Sequence, residues 1–240
     1  LIDVTVLLAM SLIFIGAFIQ TTTGFGMAIL ASPILLYISP EYIPGPIIIV
    51  GFFIALINTF KYRSQISLDG LTKSTIGLLP GSCVGAAILY FINVAQLSVL
   101  LGATVLLAVA TSLLPIKVAI TPKRLMFAGF LSGFLGTSSG IGGPPMALLL
   151  QHQKVELIRS NLAAFFLMSS ALSLLVQIPI GYMSIKHVLL ALPLIPAGYA
   201  GHKLAIRVMH RLSQKVVRNL SLILCVIAGL GAIYSGLKVI

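Results

Sequence analysis

The sequence predicts an all-α polytopic membrane protein: two inverted-topology repeats of five apolar segments, each starting with a short or re-entrant helix hairpin broken by a Gly/Ser/Thr motif. Three observations carry this expectation. The 240 residues are 59% hydrophobic and only 8% charged, with a mean hydropathy of +1.15, whereas about a quarter of a soluble domain is charged. The stretches between charge clusters run to about 15–22 residues, enough to cross roughly 30 Å of hydrocarbon as helix. The chain also matches itself at a shift of 116 positions. Such a composition leaves no room for a separate soluble domain.

Ten apolar segments are predicted, at 2–20, 24–38, 43–60, 71–92, 97–115, 124–137, 142–152, 160–180, 186–207 and 214–237. The first, LIDVTVLLAMSLIF onward, lacks a basic start and a small-residue cleavage site, so it reads as a structural helix rather than a signal peptide. The second, sixth and seventh are about 22, 21 and 16 Å long as helix, short of a full crossing. Length alone leaves open whether the hairpins they form are re-entrant or fully spanning.

The internal match pairs TTTGFG (21–26) with TSSGIG (137–142) and LPGSCVGA (79–86) with IPAGYAGH (195–202). It divides the chain into a first repeat, 1–116, and a second, 117–240, within one integral membrane domain. Five segments per repeat is an odd number, so the second repeat should sit upside down relative to the first. The charges agree. Alternating the segment junctions puts Lys61, Arg63, Lys73, Lys117, Lys123, Arg124, Lys154, Arg159, Lys203, Arg207, Arg211, Lys215 and Arg218 on one side and only Lys186 and Lys238 on the other. The positive-inside rule then predicts cytoplasmic basic loops, both termini outside and a multi-pass protein of the cell (inner) membrane.

Irregular backbone at membrane depth is tolerated only where protein or a polar cavity satisfies it. The two motifs therefore predict a binding site. Gly24, Gly26, Gly140, Gly142 and Gly143 expose backbone amides, Thr21, Thr22, Thr23, Thr137, Ser138 and Ser139 bring hydroxyls, and Phe25 and Ile141 complete the two tips. Pro144 and Pro145 suit the first turn of the following helix. A helix amino terminus edged by glycine and hydroxyl groups attracts anions. Close helix packing is the competing use of such glycines. Asn58 and Gln177 occupy corresponding places in the two repeats and are expected to line the same cavity or to join helices; Asn161, Ser169, Ser170 and Ser173 are further polar residues inside segments.

Other functions are excluded or weakened. The net charge of +11 sets topology; no basic stripe interleaved with aromatics points to nucleic acid. Cys83 and Cys225 lie far apart without metal or redox spacing, and no cofactor is implied. GTSSG (136–140) spells the serine-hydrolase pattern G-x-S-x-G, but that motif needs a strand-to-helix elbow and a histidine to serve Ser138. The histidines at 152, 187, 202 and 210 read as interfacial. Asp3, Glu41, Asp69 and Glu156, the four carboxylates, fall at segment ends or loops, so no side-chain proton carrier is evident. An enzyme is therefore not expected. A membrane scaffold, which needs no active tips, is the remaining class.

TTTGFGMAILASPIL, GTSSGIGGPPMALLL and the basic stretch KYRSQISLDG after the third segment resemble the sulfite exporter TauE/SafE family of membrane permeases over nearly the whole chain. The resemblance implies transport of a small sulfur-containing anion such as sulfite, a sulfonate or sulfoacetate. Export is expected, because expelling one negative charge from a negative interior gains about 2.3 kcal/mol per 100 mV. The expected route is alternating access with the anion near the midplane between the tips; an anion channel or an ion-coupled uptake permease is the alternative. The partners are the anion and the lipid bilayer, and a homodimer is compatible with the sequence.

Overall fold

The computed structural model describes residues 3–23, 26–113, 118–209, 211 and 213–239. Among these it is all-helical: α1 Val4–Thr23, α2 Met27–Ile38, α3 Gly45–Tyr62, α4 Leu68–Phe91, α5 Val94–Leu113, α6 Pro122–Ser139, α7 Gly143–Leu150, α8 Val155–Gln177, α9 Ile185–Ala191, α10 Leu194–Val208 and α11 Gln214–Val239, with short 3-10 turns at Pro40–Tyr42 and Arg63–Gln65. Seven described stretches are long and apolar enough to cross a membrane: Val4–Thr22, Pro40–Gln65, Leu68–Phe91, Val94–Leu113, Glu156–Gln177, Ile185–Val208 and Val216–Val239.

The predicted segments reappear with two corrections. The sixth is longer than expected, because Thr121 caps α6 by accepting from the Arg124 amide at 3.4 Å and Pro122 follows at the first helical position. Its 18 residues span about 27 Å. The ninth splits into α9 and α10 at Leu192–Pro193, where the proline ring removes a donor and crowds the preceding turn. The second and seventh remain short, with 12 and 8 residues in α2 and α7, about 18 and 12 Å.

Helix pairing follows small residues. The most extensive contact is α4 on α6, followed by α5 on α11, α1 on α10 and α3 on α8. A side chain at Gly81 would overlap the Phe130 carbonyl, and one at Gly129 the Ser74 carbonyl, so the α4 and α6 backbones lie almost in contact. Gly201 of α10 abuts the Phe14 carbonyl of α1 in the same manner. Between α5 and α11, Gly102 faces Gly229 and the Ser98 hydroxyl donates to the Ala232 carbonyl at 2.8 Å.

The short helix α2 occupies the interior, with Met27, Ile29, Leu30, Ala31 and Leu35 all buried. Long helices surround it. Their outer faces expose Leu7, Leu8 and Ile15 on α1 and Leu220, Ile223, Ile227 and Leu230 on α11, a surface suited to lipid and costly in water. Contacts gather the chain's connections into two groups. Lys186 pairs with Glu41, and Met183 and His187 approach Gly45. Elsewhere the Asn161 side chain accepts from the Ser67 amide at 2.8 Å, the Ser160 hydroxyl donates to the Gln65 carbonyl at 3.0 Å, and Arg218 donates to the Ser112 carbonyl at 2.6 Å.

Candidate functional site

Both predicted tips border one cavity. Its volume is about 80 Å³, and its walls come from Gln20, Gly26, Met27, Ala28 and Ile29 of the first hairpin and Gly136, Gly140, Ile141, Gly142 and Gly143 of the second. Ile47, Ile48 and Gly51 of α3, together with Phe166, Ser169, Ser170 and Ser173 of α8, close it. That volume suits a small ion, whereas drug-sized ligands need about 300 Å³ or more.

The breaks are narrower than the motifs suggest. Thr21–Thr23 still belongs to α1 and Gly136–Ser139 to α6, leaving Gly140–Gly142 between α6 and α7. Gly140 adopts φ 76° and returns its N–H to the Gly136 carbonyl at 3.0 Å, a left-handed cap that glycine makes at low cost. Gly142 fits so closely that a Cβ would stand 2.7 Å from the Ser132 carbonyl. Gly24 and Phe25 lie outside the described residues.

The amides of the cavity wall are those a helix start leaves over. In α2 the bond from Leu30 N–H to the Gly26 carbonyl closes the first turn, so the N–H groups of Met27, Ala28 and Ile29 precede any intrahelical acceptor. In α7, Pro144 and Pro145 carry no N–H, which concentrates donors on Gly143 and the link before it. Two helix amino termini, each the positive end of a dipole, thus border the same small volume.

Most tip hydroxyls are engaged with their own helices. Ser138 donates to the Phe134 carbonyl at 2.7 Å, Ser139 to that of Leu135 at 2.6 Å, and Thr22 to that of Ile19 at 2.9 Å, the i−4 or i−3 back-bonding usual inside a helix. Thr137 shares a hydrogen bond of 2.8 Å with Ser173, and its carbonyl accepts from Gln177 Nε2 at 2.9 Å. Gln177 is fully buried, and its Oε1 has no partner among the described residues. Thus Gln177 braces the second tip from α8; neither it nor Asn58 of α3 borders the cavity.

Two contributions escaped sequence reasoning. Gln20 lines the cavity, as do Ser169, Ser170 and Ser173, which the sequence offered only as polar residues inside a segment; the serines' signal is a polar run, at 169, 170 and 173, within the otherwise apolar stretch 162–176 of α8. His202, expected at an interface, is buried in α10, and its Nδ1 lies 2.8 Å from the Thr21 hydroxyl, which also donates to the Ala17 carbonyl at 2.8 Å. No group of three or more His, Cys, Asp or Glu that could hold a metal occurs among the described residues.

Comparison with known proteins agrees with this architecture. The chain is 25% identical, over 267 aligned positions, to the Probable membrane transporter protein YunE of Bacillus subtilis (strain 168), a match covering 93% of this chain and 95% of that protein. No solved structure gives a significant match. Residues 8–232 match the sulfite exporter TauE/SafE family model, and the chain therefore belongs to that family of multi-pass membrane transporters.

Proposed function

We propose that the protein exports a small sulfur-containing anion, such as sulfite, a sulfonate or sulfoacetate, binding it in the cavity between the two tips. The single observation that carries this reading is that the α2 and α7 amino termini, from opposite halves of the chain, border one volume of about 80 Å³. Amide donors and dipoles hold a negative charge there without a cationic side chain. Ser169, Ser170 and Ser173 add hydroxyls, and Thr137 and Gln177 keep the second tip in shape.

Alternating access between inverted repeats, 1–116 and 117–240, completes the mechanism. Its support lies in the packing: α4 on α6 and α10 on α1 are corresponding pairs under the internal match, while α3 on α8 and α5 on α11 each join a segment to its own counterpart. Ser67 and Ser184 cap the corresponding starts of α4 and α9. With basic loops in the cytoplasm, export of an anion runs down the membrane potential and needs no coupling ion.

The test is thermal stabilisation of purified protein by sulfite, a sulfonate, sulfoacetate, thiosulfate and a simple carboxylate, followed by efflux from proteoliposomes. A sulfur oxyanion or sulfonate should stabilise the wild type, and Ser170→Val should weaken the effect. No stabilisation by any of these anions overturns the site; large single-channel currents overturn the carrier.

A further inference from the structure

The tip cavity is one of three spaces that share walls. Through Gly26 and Ile29 it adjoins a gap of about 10 Å³ between α1, α2, α5 and α11. That gap shares Arg218 with a larger cavity of about 310 Å³, bordered by Thr111 and Ser112 of α5, Ala147 of α7, Gln151, and Leu162 of α8. Arg218 is common to the larger cavity and the gap, and it is the one charged side chain among the described residues lining any of the three spaces.

Arg218 is exposed, and like Arg124, which donates to the Ala119 carbonyl, it is held by a backbone oxygen, whereas four other cations have side-chain partners. Lys73 is paired with Asp69, Lys186 with Glu41, and Lys61 and Lys203 lie over the rings of Tyr62 and Tyr199. Arg218 has no carboxylate or ring partner among the described residues; one of its N–H groups donates to the Ser112 carbonyl at 2.6 Å, which orients the guanidinium against the cavity wall. A guanidinium offers five donors in a planar fork that matches two oxygens of an oxyanion. The first turn of α11 contains no acidic residue, so the positive end of that helix adds to the field rather than being neutralised.

We propose that Arg218 and its cavity form a second anion-binding site, a vestibule that captures a hydrated sulfur oxyanion or sulfonate and presents it to the tips through the gap at Gly26. This cavity is several times larger than the tip cavity, so it can hold an ion with part of its water. The narrow gap between them is where water is shed and where the passage must widen. This assignment rests on the transport reading for the identity of its ligand, but its test does not.

The test uses purified full-length protein carrying Cys83→Ala, Cys225→Ala and a reporter, Ala147→Cys, in the vestibule wall. The rate of reaction of that thiol with an anionic sulfonatoethyl methanethiosulfonate is compared with its rate with neutral methyl methanethiosulfonate. Arg218→Gln should slow the anionic reagent about tenfold relative to the neutral one, the scale on which a charged cleft concentrates ions. Arg218→Lys should keep most of the preference. With Arg218 intact, raising the salt concentration should lower the anionic rate alone. A ratio unchanged by Arg218→Gln, or insensitive to salt with Arg218 intact, overturns the vestibule. The salt arm decides the matter even if the glutamine variant fails to fold. Failure of sulfite and its analogues to stabilise the wild type would instead remove the sulfur-anion reading of the tip cavity and leave the reagent ratio untouched.

Discussion

Replacing Gly140 with alanine measures how tightly the second tip is held. Two costs arise. At φ 76° an alanine enters the left-handed region at about 1–2 kcal/mol. Its Cβ would also stand 2.9 Å from Cγ2 of Ile47, a buried β-branched side chain that cannot swing aside freely, adding about 1–3 kcal/mol of overpacking. Gly181 supplies the internal control: its φ is 78°, and a Cβ there would meet nothing within 4 Å. Gly181→Ala should therefore cost about 1 kcal/mol and Gly140→Ala about 3 kcal/mol. Ile47→Leu removes the offending Cγ2 at nearly constant volume, and combining it with Gly140→Ala should recover about 1–2 kcal/mol as coupling. The assay is reversible unfolding in mixed micelles for the four single and double variants, with sulfite-induced stabilisation read on the same samples. Equal losses at 140 and 181, or no coupling with Ile47→Leu, would refute the close contact between the tip and α3.

Four further outcomes follow from the packing. Gly81→Val should prevent α4 from closing on the Phe130 carbonyl of α6, with loss of monodisperse protein in size-exclusion chromatography. Ser173→Ala removes the partner of the Thr137 hydroxyl and should cost about 1 kcal/mol, seen as a lower unfolding free energy in the same micelles, with weaker stabilisation by sulfite. His202→Leu should remove the link from α10 to the Thr21 hydroxyl, which keeps its bond to the Ala17 carbonyl, and lower stability by about 1 kcal/mol; an unchanged melting temperature would show that this link is unimportant. Glu41→Gln breaks an exposed pair with Lys186 and should shift stability by less than about 1 kcal/mol, in unfolding measured at low and high salt.

The helices were legible because hydrocarbon length and charge punctuation act locally. Thr121 and Pro122 show what was overlooked: Lys123 and Arg124 look like a loop by hydropathy, yet a threonine cap followed by proline starts a helix there. Pro193 was hidden for the opposite reason, since the apolar run continues through it and only the helix ladder registers the break. At the tips, the glycines marked where the chain turns, but hydroxyl direction depends on whether the residue is still helical. Ser138 and Ser139 are, so their protons go to the preceding turn. The participation of Ser170 and Ser173 depended on which face α8 turns towards α3 and α6, a tertiary fact that no local pattern contains.

The helix pairing has a consequence for how the protein is made. The main partners of α1, α3, α4 and α5 are α10, α8, α6 and α11, so each is synthesised before the helix it packs against. As the first half enters the bilayer, Gly77, Gly81 and Gly85 on α4 await the α6 backbone, and lipid or a membrane chaperone must cover them meanwhile. A ribosome pause or truncation near residue 116 would leave a fragment with its grooves open, exposed to quality-control proteases. Separately expressed halves should rescue one another by supplying those missing surfaces in trans.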